Sequence, residues 1–177
     1  MTATSAAATV DFTFRVIESI AFSLHAVLGV TEPCTGCLKS AFGDNGNMVP
    51  WGWPVAGVLL ATCAYCNFAF AEDVVVIMAV QWYIVTFHFG AFWYHVRIGH
   101  HPAVGLAPGI FIPIALTIIG IRLQAGAWFI IPLGTLVCAV VAKILCHVLV
   151  KPSSTIPDDE TDGPDREQRL LNRDFRE

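Results

Sequence analysis

Charged residues are sparse along most of this chain, and the intervals between them are long and apolar. Asp, Glu, Lys and Arg are absent from Asn45 to Ala71, Val74 to Val96, Ile98 to Ile121 and Leu123 to Ala142, runs of 27, 23, 24 and 20 residues. A bilayer core of about 30 Å is crossed by roughly 20 residues at about 1.5 Å rise each. A soluble protein would have to bury four such helices on every face, and the short connections leave little chain to cover them. An earlier segment, Phe12 to Val30, is also mostly apolar but holds Arg15, Glu18 and His25. No basic region precedes it and no small-residue cleavage site follows, so it reads as a retained helix and not a signal peptide. The pattern therefore predicts an all-α polytopic transmembrane bundle of five helices, near 12–30, 53–71, 74–96, 103–122 and 125–150.

The breaks agree with that division. Pro33 and Gly36 end the first helical region, and Gly43 to Asn47 is rich in turn formers. Pro54 suits an early helical position, where its missing N–H costs least. Glu72 and Asp73 stand where they complement the positive end of the third helix dipole. Gly99 and Pro102 separate the third and fourth helices, and Arg122 to Gly126 forms a tight hairpin. Pro108, Pro113 and Pro132 lie inside spans, where neighbouring helices can satisfy freed carbonyls.

Composition sharpens the picture. The 177 residues are 55% hydrophobic and 14% charged, against about a quarter charged in average soluble domains. Residues 1–151 hold six acids and six bases, whereas 152–177 hold eight acids and four arginines, so the net charge of −4 belongs to the tail. No basic footprint for nucleic acid is present. Two regions follow: a bundle over 1–151 and an acidic soluble tail over 152–177. The tail reads as a flexible linker to Gly163, then a solvated end or a short amphipathic helix over Asp165 to Glu177 that docks on a partner.

Five helices put the termini on opposite sides. Arg15 and Arg122 fall on the N-terminal side; Lys39, Arg97 and Lys151 fall on the C-terminal side, with Lys143 able to snorkel toward it. The positive-inside rule then places the C-terminal tail in the cytoplasm or its equivalent in an organelle.

Ionisable groups in a span are expensive and need a reason. Glu18 and His25 are seven apart and share roughly one helix face, with Arg15 adjacent. Gln81, His88 and His95 repeat at heptad spacing as one stripe, and Lys143 and His147 are i,i+4 neighbours. By depth, His25, His95 and His147 fall near the C-terminal-side face, with His100, His101, Cys34 and Cys37 in its loops. Such a gathering fits haem, quinone or a transition metal, with His25, His88 and His95 as cofactor candidates and His95, His100 and His101 as weaker metal candidates. The plainer reading is that His and aromatics such as Trp51, Trp53, Trp93 and Tyr94 favour the interface, and that the stripe packs as a hydrogen-bonded bundle core.

Six cysteines include Cys34-Thr-Gly-Cys37 in a loop and Cys63-Ala-Tyr-Cys66 within a span. The loop pair is the redox candidate; the span pair, with Cys138 and Cys146, fits close packing. Phosphate-loop, dinucleotide, nucleophile-elbow and zinc-protease motifs are absent from the sequence.

From Phe12 to Arg122 the chain resembles the DoxX-like family of small four-helix membrane proteins. The residues that carry this are Arg15 at the start of helix one, Lys39 after it, His95-Val96-Arg97-Ile98-Gly99 closing the third helix with Pro102, then Pro108 and Arg122 bounding the fourth. The resemblance implies a compact four-helix core, with Arg15, Lys39, His95 and Arg97 as the family site. It also implies company among accessory subunits of quinone-dependent sulfur oxidation and a receptor-assembly chaperone. The fifth helix, the Cys34–Cys37 loop and the acidic tail are departures from that outline. The expectation is a non-enzymatic accessory or assembly protein that packs against membrane partners. The alternatives are a membrane redox protein using Cys34 and Cys37, and a small solute or proton pathway lined by Glu18, His25, Gln81 and His88.

Overall fold

The computed structural model describes residues 3–43, 47–106, 108–124 and 127–152. Residues of the acidic tail beyond 152, including the docking helix expected over Asp165 to Glu177, lie outside the described residues. Helices make up nearly all of what is described, as the charge-free runs predict, and five are long and apolar enough to cross a membrane. The chain is a multi-pass membrane protein.

Helix α1 (Ala3–Thr35) is longer than the expected 12–30 at both ends. Its N-terminal extension is built from good or neutral helix formers, so nothing local stops it at Phe12. It stops at Gly36, whose φ of 62° is left-handed and whose N–H donates to the Glu32 carbonyl at 2.8 Å. A short helix that the apolar pattern does not reveal, α2 (Cys37–Phe42), follows directly. Its first N–H groups are capped from a distance: the buried Glu32 carboxylate accepts from Leu38 N–H at 2.6 Å and Lys39 N–H at 2.9 Å.

Helices α3 (Gly52–Ala69) and α4 (Val74–Arg97) match the expected spans within about two residues. Asp73 caps α4, accepting from Val75 and Val76 N–H at 2.9 and 3.1 Å. The expected single helix over 103–122 is instead α5 (Pro102–Leu106), a 3-10 turn (Pro108–Ile110) and α6 (Phe111–Leu123). Pro108 supplies no N–H to the turn before it, and after a 3-10 turn the regular ladder restarts at Phe111. Helix α7 (Ala127–Leu149) completes the bundle and carries Pro132 on an exposed face.

Helices α1, α3, α4 and α6 surround a core of Phe22, Ala26, Leu60, Ile84, Val85 and Ala115. Helix α7 lies outside, mainly against α4, and buries only Cys138, Ala142 and Cys146. Large apolar side chains such as Leu24, Val27, Tyr65, Leu133 and Leu136 point outward. In lipid that arrangement costs nothing, and association of helices depends on close packing and polar contacts instead. At the C-terminal side, Val49 N–H donates to the Leu149 carbonyl at 3.2 Å and Lys151 N–H to the Asn47 carbonyl at 2.8 Å, tying the α2–α3 connection to the end of α7.

The tightest approach of backbone to backbone at a glycine joins α1 to α3. A Cβ on Gly29 would stand 2.7 Å from the Trp53 carbonyl oxygen, and one on Gly57 would stand 2.8 Å from Ala26 O and Val30 N. These are backbone atoms and cannot rotate aside. Gly29→Ala or Gly57→Ala is therefore expected to cost about 1–3 kcal/mol, the usual range for overpacking. A lowered Tm in detergent checks this, with Gly90→Ala, where a new Cβ meets nothing within 4 Å, as the variant that leaves Tm unchanged.

Candidate functional site

A buried polar network occupies the N-terminal side of the bundle. Asp11 and Arg15 are one turn apart on α1, and Arg15 Nε donates to Asp11 Oδ2 at 2.9 Å. Arg122, at the end of α6, grips the same carboxylate in bidentate fashion: Nε reaches Oδ1 at 3.0 Å and Nη2 reaches Oδ2 at 2.7 Å. Its Nη2 also donates to the Ala71 carbonyl at 3.1 Å, and Arg15 Nη1 donates to the Asn67 carbonyl. Charge-assisted, forked geometry of this kind is the strong form of hydrogen bond.

One turn deeper, Glu18 Oε2 accepts from Asn67 Nδ2 at 3.1 Å and from Gln81 Nε2 at 2.9 Å. Gln81 Nε2 also lies 3.3 Å from Asn67 Oδ1. Glu18, Asn67 and Gln81 are each 0% exposed, yet Glu18 Oε1 and Gln81 Oε1 have no hydrogen-bond partner. Arg15 and Glu18 were singled out by their polarity within an apolar span. Asp11 and Asn67 were not, although an i,i+4 Asp–Arg pair and an Asn inside a charge-free run were visible signals.

The heptad stripe on α4 divides among three environments. Seven residues of helix span about 10.5 Å, too far for neighbours on the stripe to share one small ligand. Gln81 belongs to the network above. His88 Nδ1 lies 2.7 Å from the Ile84 carbonyl, and its ring is boxed by Phe22, Phe87 and Phe111 at centroid distances of 5.6, 5.3 and 5.0 Å. His95 lies at the far end, its Nδ1 2.9 Å from His100 Nδ1, against Phe42 and Tyr94. His25, expected beside Glu18, is exposed on the outside of α1, with Nδ1 2.9 Å from the Ala21 carbonyl of its own helix. Helical drift contributes little: seven residues fall short of two full turns by about 20°. The buried line of α1 decides it, running through Glu18, Phe22, Ala26 and Gly29, with His25 turned about 100° from Ala26 onto the exposed side.

The remaining candidates sit apart. His101 is exposed, and its Nδ1 accepts from Ala103 N–H at 3.2 Å. Lys39 is exposed on α2, and Arg97 contacts Val150 and His147 at the end of α7. Among the described residues, His95 and His100 are together, but no group of three or more His, Cys, Asp or Glu could hold a metal ion. Cys34 and Cys37 are free and exposed on either side of Gly36, while Cys63, Cys138 and Cys146 are buried. No family model, curated protein or solved structure matches the chain.

The network makes a graded prediction. Asp11→Asn strips the counter-charge from the buried Arg15 guanidinium and the half-buried Arg122 guanidinium. It is expected to cost about 3 kcal/mol, the lower end of the loss when one partner of a buried ion pair is removed. Glu18→Gln keeps an oxygen for Asn67 and Gln81 and places its amide where no donor presses, so stability stays within about 1 kcal/mol of the parent. Unfolding of detergent-solubilised variants measures both.

Proposed function

We propose that this multi-pass membrane protein is a non-enzymatic accessory or assembly protein that acts by packing against membrane partners. The observation that carries this reading is the dispersal of its polar groups. Arg15 binds Asp11 and Asn67, His88 is enclosed by aromatic rings, His95 pairs with His100, and Arg97 is engaged by α7. Each cluster closes on local partners and holds helices to one another. The resemblance to DoxX-like proteins over Phe12 to Arg122 supports the same reading, and the acidic tail is suited to recruitment. Deleting residues 152–177 is expected to remove a protein that co-purifies with the full chain from its native membrane. An unchanged set of co-purifying proteins would count against recruitment.

One observation favours a second reading: Cys34 and Cys37, which the structure places in the last turn of α1 and at the start of α2 and not in a loop, are both exposed and free. In this reading Cys34 and Cys37 lose two protons and two electrons to a quinone, giving a disulfide and a quinol. Incubation of the purified protein with a soluble quinone is then expected to remove two thiols from alkylation, and Cys34→Ser to abolish the loss. Full thiol labelling after quinone treatment would remove the redox reading.

A further inference from the structure

Among the described residues, no carboxylate pairs with the positive charge on the C-terminal side of the bundle. Arg97 closes α4, while Lys143 and His147 occupy successive turns of α7. Together with Trp93, Val96 and Cys146 they line a groove of about 180 Å³ between the two helices. Arg97 is held from two sides: Nε donates to the Val150 carbonyl, and Nη1 lies 2.8 Å from His147 Nδ1. A guanidinium only donates, so His147 Nδ1 accepts and the imidazole proton sits on Nε2, which remains a donor. Lys143 Nζ lies 4.9 Å from the centre of the Trp93 ring system. Among the described residues, ion pairs form only at Asp11, at the opposite end of the bundle. Glu32, an acid described on the C-terminal side, is already taken by the N–H groups of α2.

We propose that this groove binds the phosphate of an anionic phospholipid headgroup, with Arg97 and Lys143 supplying the charge and His147 Nε2 a further hydrogen bond. Depth selects the ligand. Helix α4 has 24 residues, about 36 Å against a hydrocarbon core of about 30 Å, which puts its last residue, Arg97, at headgroup level. Lys143 reaches the same level by extending its stem toward the interface. Trp93 and Val96 give the groove an apolar wall for the glycerol and first acyl carbons, and basic pockets between membrane helices are suited to such headgroups. Fixing Arg97 by two bonds beforehand lowers the ordering cost of binding.

Native mass spectrometry of the detergent-purified full chain, titrated with phosphatidylglycerol and with phosphatidylcholine, tests the assignment. The expected result is tighter retention of phosphatidylglycerol, by about tenfold, and loss of that preference in Lys143→Gln, a substitution at an exposed position. Arg97→Lys keeps the charge but loses the fork, and is expected to weaken binding while leaving Tm measurable. Equal affinity for the two lipids, or a preference that survives Lys143→Gln, overturns the proposal. Displacement of the lipid by an equal concentration of inorganic phosphate would overturn the lipid assignment in favour of a free anion. Binding that emerges only after removal of residues 152–177 would overturn it in favour of the acidic tail as occupant.

Discussion

One carboxylate fixes the arrangement of the bundle. Asp11 accepts from Arg15 on its own helix and from Arg122, which lies 111 residues further along the chain. In lipid the apolar faces of helices gain nothing by meeting, so register between them has to come from packing and polar contacts. An arginine drawn into the bundle near a membrane interface is costly without a partner, and that cost becomes a constraint once a partner stands at one height. Arg15 and Arg122 also donate to carbonyls of Asn67 and Ala71, so the same three side chains set the height of α1, α3 and α6 against one another. Glu18 extends the contact to α4 through Gln81.

Away from that network the bundle changes character by layers. The next turn is aromatic, with Phe22 and Phe111 against His88 and almost no polar contact between helices. Beyond it α1 and α3 meet backbone to backbone at Gly29 and Gly57. The far end closes with Glu32 holding α2 and Arg97 holding α7. An ionic clamp therefore bounds the bundle at one interface and hydrogen bonds from charged side chains to backbone bound it at the other, with close packing between them. Helix α7 reaches the middle layer through Cys138, whose Sγ lies 3.7 Å from the Trp82 carbonyl, and through Gly134 against the Trp82 ring, while most of its surface stays outside the four-helix core.

The fold was legible because lipid imposes a simple rule, and charge-free runs of 20 or more residues obey it. The limits of the helices were less so. Proline could be tolerated at Pro113 and Pro132 yet divides α5 from α6 at Pro108, and the residue alone does not distinguish these outcomes. Helix α2 was hidden because its cap, Glu32, comes from the preceding helix and not from the usual position next to its first turn. The polar residues announced themselves by type but not by destination. Periodicity correctly aligned Gln81, His88 and His95 on one face, but only the rise of the helix separates their surroundings. His25 shows the reverse: similar spacing to Glu18, opposite exposure. Gly29 and Gly57 carried no signal at all, since nothing in either segment says that another backbone passes within contact.

The length of α1 has a further consequence. At 33 residues it measures about 50 Å, well beyond a hydrocarbon core of about 30 Å. Tilting is the usual way for a long helix to hide its excess, but the clamp at Asp11 and the glycine contact near the other end pin α1 to its neighbours at two heights. The excess therefore has to emerge on the N-terminal side, where Ala3 to Val10 rise about 12 Å above the level at which α6 ends. Small and hydroxylated residues suit that stretch to water or headgroups. There α1 alone among the described helices continues as a post beyond the level at which α6 ends.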